Sequence, residues 1–490
     1  MKNKPSVFGN PLSLRGRLGT NSEYAICKFL FGKDKKKYNL LAVKRGEVYK
    51  DFGVLTLVNA ECKTQEEKIP IETKKSLIIG TMRMGFGHWR IAIAIASAAH
   101  YLGYKCYLLD LKSFEGSVAQ KSIDFLEKWY NRASRLSQKW KLFNKFWEKV
   151  TSDGGISISS SYREKRLASL FTPVMENLPK DIPLLSAHPW VGHTAVMARI
   201  KNVMSIIPDN LPMAFWLVEG SRHCVQSPSA YFGYRTLISM EAKGSKIKYC
   251  LPKDQIILSG HYVDYEITNN IESDCERRLA RLATNEPRRF LLTMGGAGAQ
   301  ALRFADIALT CKQYIEEKKA CLLINMGDHE GRWQTLKKHL EKDGIPYIFH
   351  SDWEETKSFI KKIRTSHAEG VHIFLHADFY AAVYATNLLM RVSDVMITKP
   401  SELSFYPVPK LFIHRVGRHE AWGAIRGSEI GDGTMEASSV EALHRTLKEL
   451  IENDDLLKLY CKHIIENKKD GIYDGAYIAV KEAVHYSGKK

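Results

Sequence analysis

Residues 76–110, SLIIGTMRMGFGHWRIAIAIASAAHYLGYKCYLLD, leave this chain few folds to choose from. An apolar run (Leu77, Ile78, Ile79) enters a glycine-bearing turn, Met84-Gly85-Phe86-Gly87-His88. A small-residue helix follows, and a second apolar run, Cys106 to Leu109, ends in Asp110. Strand, loop, helix and strand in that order form the first module of an open parallel sheet. The loop puts bare glycine backbone and a histidine at a helix N-terminus, where an anion or an acidic proton is met. That combination points to an enzyme handling a phosphorylated substrate.

The alternation continues to the end of the chain. Apolar runs at Leu77–Gly80, Cys106–Leu109, Leu184–Ala187, Ala214–Leu217 and Gln255–Leu258 are separated by helical stretches. Residues 266–287 are charged and suit a linker and a first helix. Strand candidates then resume at Phe290–Thr293, Ala320–Asn325, Tyr347–Phe349, Val371–Leu375, Val395–Thr398 and Lys410–Ile413. The expected architecture is α/β: two doubly wound, Rossmann-like domains facing a cleft, at 76–265 and 286–490. Residues 1–75 read as a basic N-terminal extension, with Leu40–Val43 and Val54–Val58 as strands of a small β element. Ligands of such sheets lie beyond the carboxyl ends of strands, so the loops after Gly80, Ala187, Thr293, Leu375 and Thr398 are the ones to inspect.

A net charge of +18 asks for an anionic partner. No helix-turn-helix, zinc-finger or RNP-like pattern is present, so nucleic acid is not expected and an anionic membrane surface is. Nine cysteines without CxxC or CxxxC pairs suggest reduced thiols and neither a zinc site nor a disulfide framework. No stretch has the order of a signal peptide, and no run of about 18 apolar residues exists to span a bilayer. The expected location is the cytoplasm, peripheral to a membrane.

Six segments carry candidate chemistry. His88 opens a helix, where the positive end of the dipole disfavours imidazolium and keeps the ring able to act as a base. Ser186-Ala187-His188-Pro189-Trp190-Val191-Gly192-His193 follows a strand; with no carboxylate at ligand spacing it suits a cleft-lining loop rather than a metal site. Asp209, in Ile207-Pro208-Asp209-Asn210, is placed either to orient His88 or His188 or to cap a turn. Thr293-Met294-Gly295-Gly296-Ala297-Gly298-Ala299-Gln300 brings backbone N–H groups to a helix start and suits a diphosphate, without Walker or GxGxxG spacing. Ile397-Thr398-Lys399-Pro400-Ser401-Glu402 and Arg418-His419-Glu420-Ala421-Trp422-Gly423 offer groups for sugar hydroxyls.

Taken in order, these motifs resemble glycosyltransferase family 28, closest to the monogalactosyldiacylglycerol synthases, over roughly residues 76–450. GFGHWRIAIAIA, SAHPWVGHTAVMA and IPDN…HCVQSPS stand where the family has a Gly-Gly-His turn, an S-x-H-P loop and a T-D…CPS segment. LLTMGGAGAQ, LLINMGD, DVMITKPSE and RHEAWGAIRGSEIGDGT stand for its MGGG turn, ICG strand, ITK-P segment and Q-E-x-G-N loop. The resemblance implies the GT-B fold, a UDP-sugar donor on the C-terminal domain and a lipid acceptor on the N-terminal domain. It implies inverting hexosyl transfer without metal or cofactor. His88 would be the catalytic base, with Asp209 and His188 as its catalytic companions. Gly295, Gly296 and Gly298 would cradle the diphosphate, Phe379 the uracil and Glu402 the ribose. Lys399, Ser401, His419 and Glu420 complete the donor side, and Gly85, Gly87, Trp89 and His193 the acceptor side. The family's glycine-rich insert before the glutamate is shortened here to Pro400-Ser401, and His419 replaces the family's glutamine.

Residues 122–150 place Trp129, Trp140 and Trp147 at helical spacing among seven lysines and arginines and three acids, a pattern suited to a lipid interface. Two other readings stay open: a nucleotide-sugar epimerase, which uses the same double-domain architecture, and a catalytically degenerate nucleotide-sugar-binding protein.

Overall fold

The computed structural model describes residues 5–83, 85–139, 155–241, 246–296, 298, 300–415 and 417–486. Trp140 and Trp147 lie outside these residues, as does the side chain of Trp129. The chain divides into two compact units: unit 1 holds residues 1–264, 417–419 and 474–490, and unit 2 holds 265–416 and 420–473.

Unit 1 is built on an eight-stranded sheet. Its strands are β3 (Leu40–Val43), β4 (Leu55–Asn59), β5 (Ser76–Thr81), β6 (Lys105–Asp110), β7 (Leu184–Ser186), β8 (Val203–Ile206), β9 (Arg222–Val225) and β10 (Ile256–Leu258). The spatial order is β10-β9-β8-β7-β5-β6-β4-β3, parallel throughout except for the β3–β4 pair. A two-stranded hairpin of β1 (Ser6–Val7) and β2 (Asn10–Pro11) precedes α1 (Leu14–Phe31) and α2 (Gly46–Phe52). β5 is buried at every position, as a central parallel strand covered on both faces must be. The following helix, α3 (Gly87–Tyr101), is buried from Trp89 to Ala99; its Ala/Ile sequence lets neighbours approach on all sides.

Three features of unit 1 differ from expectation. β3 and β4 form no separate element: Leu55 and Thr56 pair in parallel with Tyr107 and Leu108, so the basic segment lengthens the main sheet. Ala214–Trp216 is a turn of 3-10 helix, and the strands there are β8 and β9 on either side of it. The Ala214–Leu217 run is apolar because it packs into a core cluster with Ile158, Tyr234 and Leu251. The last helix, Gly475–Tyr486, belongs to unit 1, although the sequence assigned it to the C-terminal domain. It packs on α3, and a Cβ at Gly475 would overlap the Gly260 carbonyl, so only glycine permits that approach.

Unit 2 carries a six-stranded, wholly parallel sheet. Its strands are β11 (Arg288–Thr293), β12 (Ala320–Asn325), β13 (Ile348–His350), β14 (Gly370–Phe374), β15 (Val395–Thr398) and β16 (Lys410–Phe412), in the order β13-β14-β12-β11-β15-β16. All six agree with the apolar runs of the second half. The charged segment before it is the helix Ile271–Ala283, whose Arg278 and Arg281 find partners inside the unit. Arg281 pairs with Asp394 at 2.7 Å, Asp394 also accepts the Arg289 N–H at 2.8 Å, and Arg278 donates to the Ser393 and Met390 carbonyls. Lys410 pairs with Asp432 at 2.8 Å with both side chains fully buried, and Tyr473 Oη donates to the same carboxylate at 2.9 Å. Each buried charge keeps a partner, the condition under which such groups are tolerated. Among the described residues no helix is long and apolar enough to cross a membrane.

At Gly80 of β5 a Cβ would lie 2.3 Å from Val191 Cγ1 in the helix Pro189–Met197. Val191 is β-branched and fully buried, so it cannot turn away. Gly80→Ala should therefore cost roughly 1–3 kcal/mol of stability. Urea unfolding should show this as a lower midpoint at unchanged slope.

Candidate functional site

In a doubly wound sheet the chain leaves its first strand to one side and later returns to pair on the other. The two connections diverge there and open a crevice at the carboxyl ends. In unit 1 this switch point falls between β5 and β7, and in unit 2 between β11 and β15.

At the first switch point, Gly85 takes φ +80°, a conformation that glycine adopts without strain, and turns the chain into α3. His88, half-buried in the first turn of α3, places Nδ1 3.1 Å from the Ala187 carbonyl beyond β7. A carbonyl only accepts, so Nδ1 carries a hydrogen, and in the neutral ring the lone pair is then on Nε2. His188 caps the helix Pro189–Met197, its Nδ1 accepting the Trp190 N–H at 3.2 Å. Its ring meets His88 edge-on at 4.9 Å. Burial, then the neighbouring His88 and His193, push its pKa well below the ordinary histidine value, so His188 stays neutral.

Asp209 binds neither histidine directly. Its carboxylate accepts Trp216 Nε1 at 2.7 Å, and the Trp216 ring lies 5.7 Å from His88. Phe215 adds a ring 5.9 Å from His188, so the 3-10 turn that resembled a strand lines the site with aromatic faces. Trp89 and His193 are buried inside the unit, while Gly85 and Gly87 are partly exposed beside His88.

At the second switch point, the Gly298 N–H closes a turn onto the Gly295 carbonyl at 2.8 Å, with Gly298 at φ +62°. Both glycines are closely flanked. A Cβ at Gly295 would lie 3.1 Å from Lys399 Cε, and one at Gly298 would lie 3.1 Å from Arg332 Cγ and 3.3 Å from His329 Nδ1. His329 Nε2 is 3.1 Å from the Gly295 carbonyl. Thr293 Oγ1 donates to Thr398 Oγ1 at 3.1 Å, tying the ends of β11 and β15 together. The turn thus precedes the 16-residue helix Ala301–Glu316 and is bordered by Lys399, Arg332 and His329, a setting suited to an anion.

The remaining donor-side residues lie on neighbouring loops. Lys399 pairs with Glu420, and the backbone between them is packed closely: a Cβ at Gly423 would meet Ser404 Oγ at 2.6 Å and the Pro400 carbonyl at 3.0 Å. Ser401 and Glu402 begin a short 3-10 turn after β15. Phe379 is the first residue of the helix Phe379–Met390, which Asp378 caps by accepting the Ala381 N–H at 2.9 Å. His419 lies in the turn Arg418–Glu420, within the segment grouped with unit 1.

Phe215, His329 and Arg332 were not singled out from the sequence. His329 and Arg332 follow β12, and the strand-end rule that marked five other loops reaches this one too. Among the described residues no group of three His, Cys, Asp or Glu could hold a metal ion.

Residues 6–236 match the family model of a domain of unknown function, DUF6937, and residues 251–484 match a second, DUF6938. No curated protein matches in sequence. Among solved structures, the chain is similar to the UDP-GlcNAc 2-epimerase from Neisseria meningitidis bound to UDP-GlcNAc. Identity is 12%, the TM-score is 0.46, and the match covers 84% of this chain and 100% of that one. It is similar to a glycosyltransferase from Rickettsia africae at 11% identity and TM-score 0.41, over 85% of this chain and 99% of that one. An Anabaena protein in complex with UDP and glucose is similar at 10% identity and TM-score 0.38, over 84% and 99% of the two chains.

The buried histidines of unit 1 predict a pH window. His223 accepts the Val218 N–H at Nε2 and donates from Nδ1 to the Gln255 carbonyl, which fixes it neutral. Burial lowers its pKa to about 4 and that of His193 to about 3. An unfolded histidine titrates near 6.5. As pH falls below that value the unfolded chain binds protons that the folded chain refuses, so stability declines toward pH 4 and is insensitive to these groups above 6.5. Urea titrations across this range should show the decline, and His223→Gln should flatten it by about 1.4 kcal/mol per pH unit.

Proposed function

We propose that the protein transfers a hexose from a UDP-sugar to a hydroxyl of a membrane lipid or lipid-linked acceptor, with inversion and with His88 as general base. The observation that carries this reading is the orientation of His88. Its Nδ1 lies 3.1 Å from the Ala187 carbonyl in a site walled by aromatic rings, and Nε2 is the nitrogen that takes the proton in this scheme. Sugar transfer needs a base for the acceptor hydroxyl and a stabiliser for the departing diphosphate. The Gly295–Gly298 turn, the helix it precedes, and the Lys399 and Arg332 side chains suit the second task.

In the proposed step the acceptor oxygen attacks the anomeric carbon as Nε2 takes its proton. The bond from that carbon to the diphosphate oxygen breaks, and UDP leaves with the electron pair. Backbone N–H groups and cations at the turn meet the developing charge, which supplies the electrostatic stabilisation in this scheme. His188, held neutral beside His88, adds no positive charge that would oppose formation of the imidazolium. Asp209 acts at a distance, by fixing the Trp216 indole against which His88 rests. It is a positioning residue in this scheme, whereas His88 touches the reacting hydroxyl.

UDP release from a panel of UDP-sugars, with and without anionic lipid vesicles, tests the reading. Lipid-stimulated release supports transfer. A product sugar formed without UDP release assigns an epimerase, and UDP binding with neither assigns a binding protein. His88→Ala should lower turnover about 10²–10⁴-fold and leave UDP affinity unchanged. Arg332→Ala should raise the UDP Kd by about tenfold or more and lower turnover as well. Full turnover in His88→Ala would remove the base from the scheme.

A further inference from the structure

Helix α1 has apolar residues on two sides, and only one of them is covered. The inner side carries Thr20, Tyr24, Cys27 and Phe31, with Thr20 buried and the other three packed against the unit 1 core. Arg166 of the helix Ile158–Ala168 lies over the Tyr24 ring at 4.1 Å, and Phe31 meets Phe125 of α4 (Val118–Lys139) at 5.6 Å. The outer side carries Leu14, Leu18, Ile26, Phe29 and Leu30. At 3.6 residues per turn these five fall within about 160° of arc. Their exposure runs from 54% for Leu30 to 89% for Phe29. Scattered exposed leucines need no explanation, but five large apolar side chains on one side of one helix, with Arg15 and Ser22 among them, do.

The surroundings of the patch are cationic. Arg15 and Lys28 lie on the helix, and Lys33, Lys35, Lys36 and Lys37 follow it, all six exposed. Residues 14–37 contain only two acids, Glu23 and Asp34. Asp34 is turned inward, accepting the Tyr38 hydroxyl at 2.8 Å, and Glu23 lies 3.7 Å from Arg163. The exposed charge bordering the apolar face is therefore almost wholly positive. A second copy of the chain in a two-fold contact would bring the same cations against these, which opposes self-association. An anionic bilayer meets both features at once, taking the side chains of the apolar face among its acyl chains and the lysines among its headgroups.

We infer that the outer face of α1 is a docking surface for an anionic membrane, with Leu14, Leu18, Ile26, Phe29 and Leu30 entering the bilayer and the Lys33–Lys37 cluster contacting headgroups. This deepens the proposed function by naming the surface through which unit 1 meets lipid, and it rests on that reading for its biological purpose alone. These residues are other than Trp129, Trp140 and Trp147, the stretch that the sequence suggested.

The test is co-sedimentation of the full chain with vesicles of phosphatidylcholine, alone or mixed with phosphatidylglycerol. Wild-type protein should bind the mixed vesicles, more weakly as salt rises. The variant Leu18→Ser/Phe29→Ser/Leu30→Ser should partition about tenfold or more less well, with an unchanged thermal midpoint because all three side chains are exposed. Lys35→Glu/Lys36→Glu/Lys37→Glu should lose several-fold on mixed vesicles and change nothing on neutral ones. Equal binding by the serine variant and wild type overturns the inference, as does a wild type that binds neither vesicle. A dimer seen by sedimentation equilibrium in wild type and lost in the serine variant also overturns it, assigning the face to a second copy. Calorimetry of UDP binding runs beside these measurements. A chain that binds vesicles but not UDP keeps the docking surface and removes the transferase reading.

Discussion

Both candidate sites depend on one constraint of parallel sheets. Parallel strands cannot be joined by a tight turn, so each connection is a crossover that covers a sheet face, and all carboxyl ends point the same way. The chain can fill both sides of its first strand only by reversing the direction of winding once. At that reversal two loops diverge, and no helix closes the gap between them. In unit 1 the loops carry His88 and His188, and in unit 2 they carry Gly295 and Lys399. The chemistry is concentrated at these places because the sheet leaves them open.

The two openings are furnished in opposite senses. Unit 1 surrounds its switch point with buried, neutral imidazoles and indoles, where a new charge is poorly screened and each hydrogen bond fixes a tautomer. Unit 2 surrounds its switch point with glycine backbone, a lysine, an arginine and a histidine, groups that favour negative charge. Proton transfer wants the first environment and a diphosphate wants the second. That division follows from side chains within ten residues of a strand end in each unit, with nothing assumed about the rest of the molecule.

How much of this was legible in the sequence depended on how local each signal is. The central strands of unit 2, such as Phe290–Leu292 and Cys321–Ile324, are apolar runs bounded by polar loops, because a parallel strand covered on both faces meets a largely apolar surrounding. β8 and β9 escaped notice: Val203–Ile206 contains a serine, and Arg222–Val225 begins with an arginine and a histidine whose polar atoms are satisfied by distant partners. Ala214–Leu217 misled in the other direction, since its apolar character serves packing in a 3-10 turn. His88 could be found from its turn. Its dependence on Ala187, and the link from Asp209 to Trp216, could not, because a hydrogen bond between loops leaves no periodicity behind.

Helix α1 shows the same principle from the outside. A helix that buries one face and exposes polar groups on the other announces itself by contrast, and α1 lacks that contrast because apolar residues occupy both sides. The structure covers one side with Tyr24, Cys27 and Phe31 against the core and leaves Phe29 in solvent one residue away from Leu30. A covered apolar side and an exposed one are thus written over one another in eighteen residues. Only the folded geometry separates them, since position around the helix axis has no meaning until one face has been fixed.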